Sequence, residues 1–465
     1  MPYDVIIVGC GPAGIFSALE LAQVPRLSVL MLDKGRDINE RRCPASRGLG
    51  CVNCNPCSLL SGWGGAGAFS DGKLTLSPEV GGWLGEYAGT EKLVEDIAYV
   101  DQTYLRFGAP KELYGVETDS IEEIEHKASL AGLKFVPERL RHLGTEKCVQ
   151  VLREMKKYLQ KSIEIRTDTE VKTLLIDQGR AVGVETATGD RISGKYVAVG
   201  PGRVGAEWLT SEAQALGLRT LNNPVDVGVR VEIPAAVTEK LTKILYEPKF
   251  IYFSKSFDDK VRTFCFNPFG EVITESYSGV LTVNGQSYSE MQTQNSNFAI
   301  LVSTSFTEPF KEPIAYGKYL ARLANLLSGG IIVQRLGDLD AGRRSTKERI
   351  ERNLVQPTLK SATPGDLSFV LPYRYLSDIR EMLSALDLVS PGIYAKHTLL
   401  YGVEVKFYSS RLELTENLET RIKNLFAIGD GAGVTRGLVQ ASVSGVIVAQ
   451  EILRREGVRL KQARA

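Results

Sequence analysis

DVIIVGCGPAG, residues 4–14, is an apolar run that breaks into a glycine-rich turn and then into the helical spacing of IFSALELAQ. DVIIV has the continuous apolar character of a strand buried on both faces. Gly9, Gly11 and Gly14 stand in G-x-G-x-x-G order. A second apolar run, LSVLMLDKG, then ends in Asp33, nineteen positions after Gly14. Strand, turn, helix, strand and acid in that succession make the dinucleotide-binding βαβ fingerprint. In it Gly9 allows the tight turn, Gly11 lets the backbone approach a pyrophosphate, and Gly14 lets helix pack on strand. Pro12 and Ala13 open the helix, whose free N–H groups carry about half a positive charge for the phosphates. Asp33, followed by Lys34, is placed to accept hydrogen bonds from adenosine ribose hydroxyls.

The glycine spacing recurs at Gly62/Gly64/Gly67 and Gly200/Gly202/Gly205, but neither copy is followed by a strand ending in an acid. GPGRVG does follow a strand-like KYVAV, yet the chain then runs into LNNPVDVG. Gly200 therefore reads as the turn where the chain leaves the cofactor domain. A second, nicotinamide-type domain fits poorly.

The 465 residues leave room for two or three lobes, and a net charge of +1 with 43% hydrophobic residues favours neither nucleic acid nor an anionic surface as main partner. No charged n-region and apolar h-region open the chain, and no apolar run is long enough to span a membrane. Seven cysteines, four of them within residues 43–57, suit a reducing compartment better than a disulfide framework. The expected location is cytoplasmic, with peripheral membrane attachment left open.

Along the chain, 41–90 is rich in Gly, Cys and Ser and reads as a loop region around a site. Amphipathic helices are predicted at 91–106 and 146–161, with Cys148, Leu152, Met155 and Leu159 on the buried face of the second. IEIRTDTEVKTLLID, AVGVETATG and DRISGKYVAVGPG read as a β-meander returning to a buried strand. Short strands fill 225–305, helices follow near 316–328, 347–353 and 376–388, and IKNLFAIGDGAG leads into a closing helix. The fold class is α/β with an α+β insert. Residues 1–225 and 366–465 are expected to form a discontinuous Rossmann-like domain, with the Cys-rich loop at 41–75. Residues 226–365 are expected to be an inserted mixed-sheet substrate or cap domain.

These segments together resemble the FAD-containing flavoproteins of the glutathione-reductase structural superfamily. VIIVGCGPAG…LDKG is similar to their FAD fingerprint, KYVAVGPGR to their strand-plus-glycine crossover, and NLFAIGDGAG to their C-terminal flavin motif. The resemblance implies FAD as cofactor, with Asp430 after Gly429 on the ribityl chain and Gly431 and Gly433 giving close backbone approach. Gly437 and Leu438 follow in the same segment, Gly200 marks the crossover, and Val171 falls where a backbone group meets the adenine. A closer likeness is to a poorly characterised family of FAD-dependent dehydrogenases. It rests on GWGGAGAFSDGKL (62–74), DVGVRVE (226–232), TFCFNPFGEVI (263–273), VNGQSYSEMQTQNSNFAILV (283–302) and LLYGVEVKFYSS (399–410). Relatives often carry CxCPGG where this chain has CFNPFG, so a second cysteine beside Cys265 is absent.

Cys51, Cys54 and Cys57 form CxxCxxC, with Cys43 upstream before Pro44. This spacing is far more specific than the glycine pattern. It suits a [4Fe–4S] site completed by Cys-Pro, a four-thiolate zinc site, redox thiols, or no joint role. The CxxxxC spacing of glutathione-reductase-like enzymes is missing.

In the reaction the resemblance implies, the flavin carries hydride or electrons while the protein supplies orientation and charge. Gly64, Gly65, Ala66, Ser70 and Asp71 are expected along the cofactor, with Lys73 holding negative charge on its reduced form. His397 and Glu404 are candidates for proton transfer, and Arg436 for a flavin or anion contact. Arg343 and Arg344 read as a solvated helix entry. The leading expectation is an FAD-dependent oxidoreductase acting on an unidentified small molecule. The alternatives are an electron-transfer flavoprotein with a cysteine-ligated relay, a lipid or isoprenoid reductase resembling the geranylgeranyl reductases, and an FAD-binding scaffold without turnover.

Overall fold

The apolar run that starts the chain forms a strand, Tyr3–Val8, whose last four residues are buried. The computed structural model describes residues 2–44, 52, 54–221, 225–277, 279–287, 292–304, 312–406 and 411–458. The chain divides into two units. One comprises Met1–Glu112, Arg141–Asn223 and Ser409–Ala465; the other comprises Leu113–Leu140 and Pro224–Tyr408.

In the first unit, Tyr3–Val8 lies at the centre of a parallel sheet. Val5 pairs with Val29 of the Val29–Leu32 strand on one side and with Tyr196 of Arg191–Val199 on the other. Glu164–Arg166 extends the first edge and Leu425–Ala427 the second, both in parallel. The beginning of Arg191–Val199 pairs antiparallel with Arg180–Thr186, which pairs in turn with Val171–Asp177. That is the expected meander returning to a buried strand. After the turn at Gly200 the chain forms helix Ala206–Ala215 and stays in this unit as far as Asn223.

Helix Pro12–Leu21 is buried from Ala13 to Leu21 because helix Leu438–Arg455, from the far end of the chain, packs on it. Gly445 permits that approach: a Cβ there would sit 2.0 Å from the Ala13 carbonyl oxygen. Ser17 Oγ also donates to the Gly445 carbonyl at 2.8 Å. Ile6, Ile7 and Ile15 have no exposed surface, and each such side chain contributes about 1.5–3 kcal/mol by leaving water. The amphipathic helices run over Thr90–Arg106 and Thr145–Leu159, with Cys148, Leu152, Met155 and Leu159 buried as their spacing requires.

The second unit is built on an eight-stranded sheet, antiparallel except where Ile332–Arg335 pairs in parallel with Thr363–Pro364. Its middle strands are Leu399–Lys406, Val225–Pro234, Asn295–Thr304 and Lys260–Asn267. Val225, Val227, Val229, Val231 and Ile233 alternate onto one face, where they join Ile300, Val302 and the buried side of helix Tyr373–Val389. Asp226, Arg230 and Glu232 alternate onto the other.

The expected domain boundary differs from the observed one at two places. Residues 366–408 belong to the second unit, because Leu399–Lys406 pairs with Val225–Pro234 and Tyr373–Val389 covers that sheet. Residues 113–140 join it as well, since Lys134–Val136 forms its edge against Lys249–Phe253. Among the described residues, no helix is long and apolar enough to cross a membrane.

Candidate dinucleotide-binding site

The first turn takes the shape its glycines allow. Gly9 has φ +106°, and a Cβ there would lie 2.1 Å from the Gly200 carbonyl oxygen, so the ends of two neighbouring strands touch at this point. Gly14 packs as closely: its missing Cβ would lie 2.0 Å from the Gly9 carbonyl oxygen. Gly11 is different. The nearest atom to its absent side chain is Gly65 Cα at 3.9 Å, so the packed protein itself does not demand glycine here. Helix Pro12–Leu21 starts with Pro in its first turn and no side-chain cap, which leaves its N-terminal N–H groups for an anion.

Asp33 is the junction of the site. Its Oδ2 accepts from the Cys10 N–H, and its Oδ1 from the N–H groups of Gly35 and Gly62, each at 2.8 Å. Burial pushes this carboxyl up, and the three N–H donors pull against that. A carboxylate offers about four lone-pair positions, so these three bonds leave one on Oδ2. Thr169 N–H donates to the Asp33 carbonyl at 2.8 Å, which brings the start of Val171–Asp177 beside it. Val171 is buried there, and Lys34 is half-buried.

The loop after the cysteines is laid over this turn. Gly64 N–H donates to the Cys10 carbonyl at 2.8 Å, and a Cβ on Gly65 would lie 3.0 Å from Gly11 Cα. Gly67 meets Leu438 and Pro12 together, at 2.6 and 3.4 Å from its missing Cβ. Ala66 is half-buried in the same short helix, Gly65–Phe69. Ser70 is engaged locally, with Oγ donating to the Gly67 carbonyl at 2.9 Å, and Asp71 Oδ2 holds Lys73 Nζ at 3.0 Å.

The C-terminal motif completes the cluster. Gly429 (φ +71°) brings its backbone against Ala13, with 3.1 Å from its missing Cβ to that of Ala13. Asp430 Oδ1 accepts from Thr435 Oγ1 at 2.8 Å, while Oδ2 has only a long bond from Gly437 N–H at 3.4 Å and Arg203 at 4.0 Å. Gly433 (φ +74°) ends that turn, and Gly437 (φ +99°) precedes Leu438 with nothing within 4 Å of its missing Cβ. Arg436 lies over the Trp83 ring at 5.4 Å, and Arg411 at the same distance.

Arg41 was missed by sequence reading. It is buried, with donations to the carbonyls of Ser58 (2.8 Å), Leu59 (2.7 Å) and Trp63 (2.6 Å). It thereby fixes the segment between the cysteines and the GWGGAG loop. Burial lowers its pKa to about 10. An arginine in a polar stretch carries no periodic signal, so only its proximity to the motif could have drawn attention to it.

Cys43, Cys54 and Cys57 are half-buried. Burial pushes the Cys57 thiol up, and the Cys54 and Cys43 thiols are near enough to push it further. Cys51 lies outside the described residues. Among those residues no group of three or more His, Cys, Asp or Glu is arranged to hold a metal ion.

Two of the residues expected to move protons lie in the second unit. His397 is in a turn preceding Leu399–Lys406, and its carbonyl accepts from Asn353 Nδ2 at 2.9 Å. Glu404 is fully buried, with both oxygens held by Arg230 at 2.6 and 2.7 Å and Lys406 at 2.9 Å from Oε1. With its oxygens taken up by cations, Glu404 acts here as an ionic anchor.

Residues 224–407 match a family model described as FAD-dependent protein, C-terminal domain-like. A curated relative, an uncharacterized protein of Clostridium beijerinckii, is 26% identical over 97% of this chain and 80% of its own length. The R554A variant of formate oxidase from Aspergillus oryzae is similar at 13% identity and a TM-score of 0.46, covering 98% of this chain and 99% of that one. The glycerol-3-phosphate dehydrogenase of Bacillus halodurans, solved with FAD, is similar at 9% identity and a TM-score of 0.40, over 99% of this chain. This chain spans 66% of the length of that dehydrogenase.

Proposed function

We propose that this chain is an FAD-dependent oxidoreductase whose cofactor is held by three segments far apart in sequence. The observation that carries the reading is their convergence: the Gly9–Gly14 turn, the 62–69 loop and the 429–438 motif meet at the start of one helix. The family match over 224–407 supports FAD independently of that geometry.

The residues present fit the cofactor. A side chain at Gly11 would meet only an ordinary contact and one at Gly437 open space, and the uncapped helix start offers N–H donors to a pyrophosphate. Asp33 Oδ2 has an acceptor position left for a ribose hydroxyl, and Asp430 Oδ2, with its single long bond, has one for a ribityl hydroxyl. Lys73, held by Asp71, is the cation of the same loop and is assigned to offset negative charge on the reduced cofactor. When bound, FAD supplies hydride or electron transfer. Seven cysteines in one chain support a reducing, cytoplasmic setting.

A second reading adds a cysteine-ligated centre to that chemistry. Its support is the shared neighbourhood of Cys43, Cys54 and Cys57. Iron and zinc analysis of protein purified without oxygen decides it: one iron–sulfur cluster per chain supports the relay, and protein with full flavin content but no iron removes it.

The oxidoreductase reading itself is tested by anaerobic titration. The bound flavin is expected to bleach with dithionite or a reduced nicotinamide and to regain its colour with an artificial acceptor. Flavin that binds but cannot be cycled by any of these would leave a scaffold rather than an enzyme.

A further inference from the structure

Helix Pro313–Ser328 of the second unit is apolar on both sides. Leu320 and Ala324 enter the core beside Ile300 and Val302. On the side turned away from the core, where a surface helix normally carries polar residues, stand Tyr319 (69% exposed), Leu323, Leu326 (80%) and Leu327. Their spacing of i, i+4, i+7 and i+8 makes them one stripe.

A second segment widens it. Thr363 Oγ1 donates to the Ser328 carbonyl at 2.8 Å, and the Tyr375 ring meets that of Tyr316 edge-on at 6.5 Å. Residues 363–375 therefore run alongside the helix from its last residue back to its first turn, on the flank of Tyr316, Leu323 and Leu327. Leu367, Val370, Leu371 and Tyr375 anchor the segment in the core, which leaves Phe369 (71%) and Tyr373 (79%) exposed on it. A buried aromatic side chain removes about 150–250 Å² from water. Three largely exposed rings therefore present on the order of 300 Å², and the leucines take the patch past the few hundred Å² that ordinary monomer surfaces show.

The charges beside the stripe have one sign. Helix Pro313–Ser328 carries Lys318 and Arg322 and no carboxylate. In the second segment Asp366 accepts from Gln334 Nε2 and the Ser368 N–H, and Arg374 is held by Asp259. A second copy docked about a two-fold axis would bring the same stripe and the same cations, with no helix carboxylate to meet them. A layer of anionic headgroups supplies the missing charge and receives an apolar ridge without a matching groove. The chain's small net charge does not oppose this, because attraction to a surface is set by cations within a Debye length of it.

We propose that this stripe docks on an anionic lipid surface, with Leu326, Leu327 and Phe369 entering the acyl boundary, Tyr319 and Tyr373 at headgroup level and Arg322 on the phosphates. Attachment of this kind does not depend on the cofactor.

The test floats the full-length protein with vesicles of phosphatidylcholine, alone or with about a third phosphatidylglycerol; binding is expected with the anionic vesicles and at least about fivefold less without the anionic lipid. Leu326→Gln combined with Phe369→Gln should weaken it more than about tenfold, the worth of withdrawing two apolar side chains from an apolar phase. Arg322→Gln should weaken it about fivefold, the worth of one cation at an anionic surface. Leu354→Gln is the control and should bind as wild type: Leu354 is equally exposed but adjoins Val355, which packs on the sheet's other face. All these side chains are exposed, so circular dichroism and the thermal midpoint are expected to stay those of wild type. Protein that does not float, or that floats equally well as the folded double variant, overturns the proposal. If the unbound protein is instead dimeric by sedimentation and the double variant makes it monomeric, a second copy covers the stripe and the lipid assignment falls.

Discussion

The Gly62 N–H donates to Asp33 Oδ1 at 2.8 Å across 29 residues of chain. This bond ties the acid of the βαβ fingerprint to the loop that follows the cysteines. Asp33 thereby clamps the GWGGAG loop over the first turn, in addition to the ribose contact proposed for it.

Asp33→Asn tests the clamp. An amide in that position turns an NH2 toward at least one backbone N–H and leaves that donor buried without an acceptor. The expected loss is about 1–3 kcal/mol of unfolding free energy, measured by urea denaturation, together with loss of FAD. A variant of unchanged stability would mean that the three N–H bonds do not hold the loop.

The glycines of the turn separate packing from cofactor approach. Gly14→Ala drives a methyl into the Gly9 carbonyl and should cost more than about 3 kcal/mol or abolish folding. Gly11→Ala meets only an ordinary contact, and its φ of −80° suits any residue. It should stay within about 0.5 kcal/mol of wild type and still lose FAD, because its methyl occupies the path of the pyrophosphate. Equal flavin content in Gly11→Ala and wild type would contradict this assignment.

The Arg230–Glu404 pair gives a third expectation. Glu404→Leu leaves the Arg230 guanidinium and the Lys406 ammonium buried without their shared carboxylate and should cost about 3–5 kcal/mol, whereas Arg230→Met combined with Glu404→Leu should recover the guanidinium's part of that loss, Lys406 staying unpaired. Thermal denaturation of the four proteins in the cycle measures the coupling. A double variant no more stable than Glu404→Leu would show that the pair is not the source of the cost.

Asp378 makes stability depend on pH. Burial, with the Asp259 carboxylate beside it, pushes its carboxyl from 3.8 up to about 6. The folded state therefore holds this proton more tightly than the unfolded one. The contribution is fully present below pH 3.8 and is lost as pH rises through about 6. Asp378→Asn should gain stability relative to wild type between pH 4 and pH 7, read as the difference in urea midpoint at each pH; a difference constant across that window would contradict the assignment.

Much of the first unit was legible because it is written in local periodicity. DVIIV, the glycine turn, Asp33 and the Glu164–Val199 meander each announce themselves within a few residues. The boundary near 366 was not legible, since LLYGVEVK reads as a buried strand without saying which sheet receives it. Nor was the partner of Glu404, which lies 174 positions away in Arg230. Ion pairs of that separation follow from register between strands, and a single sequence does not encode register visibly. Asp33 stands out in the sequence as the acid of the fingerprint, but its three backbone donors come from turns whose folding no spacing rule describes.

Three distant segments are proposed to make one FAD site, and the cofactor released on denaturing the purified chain, after incubation with excess FAD and removal of what is unbound, tests this. One FAD per chain, identified by mass, is predicted. A chain that is folded by circular dichroism yet releases no FAD would contradict it.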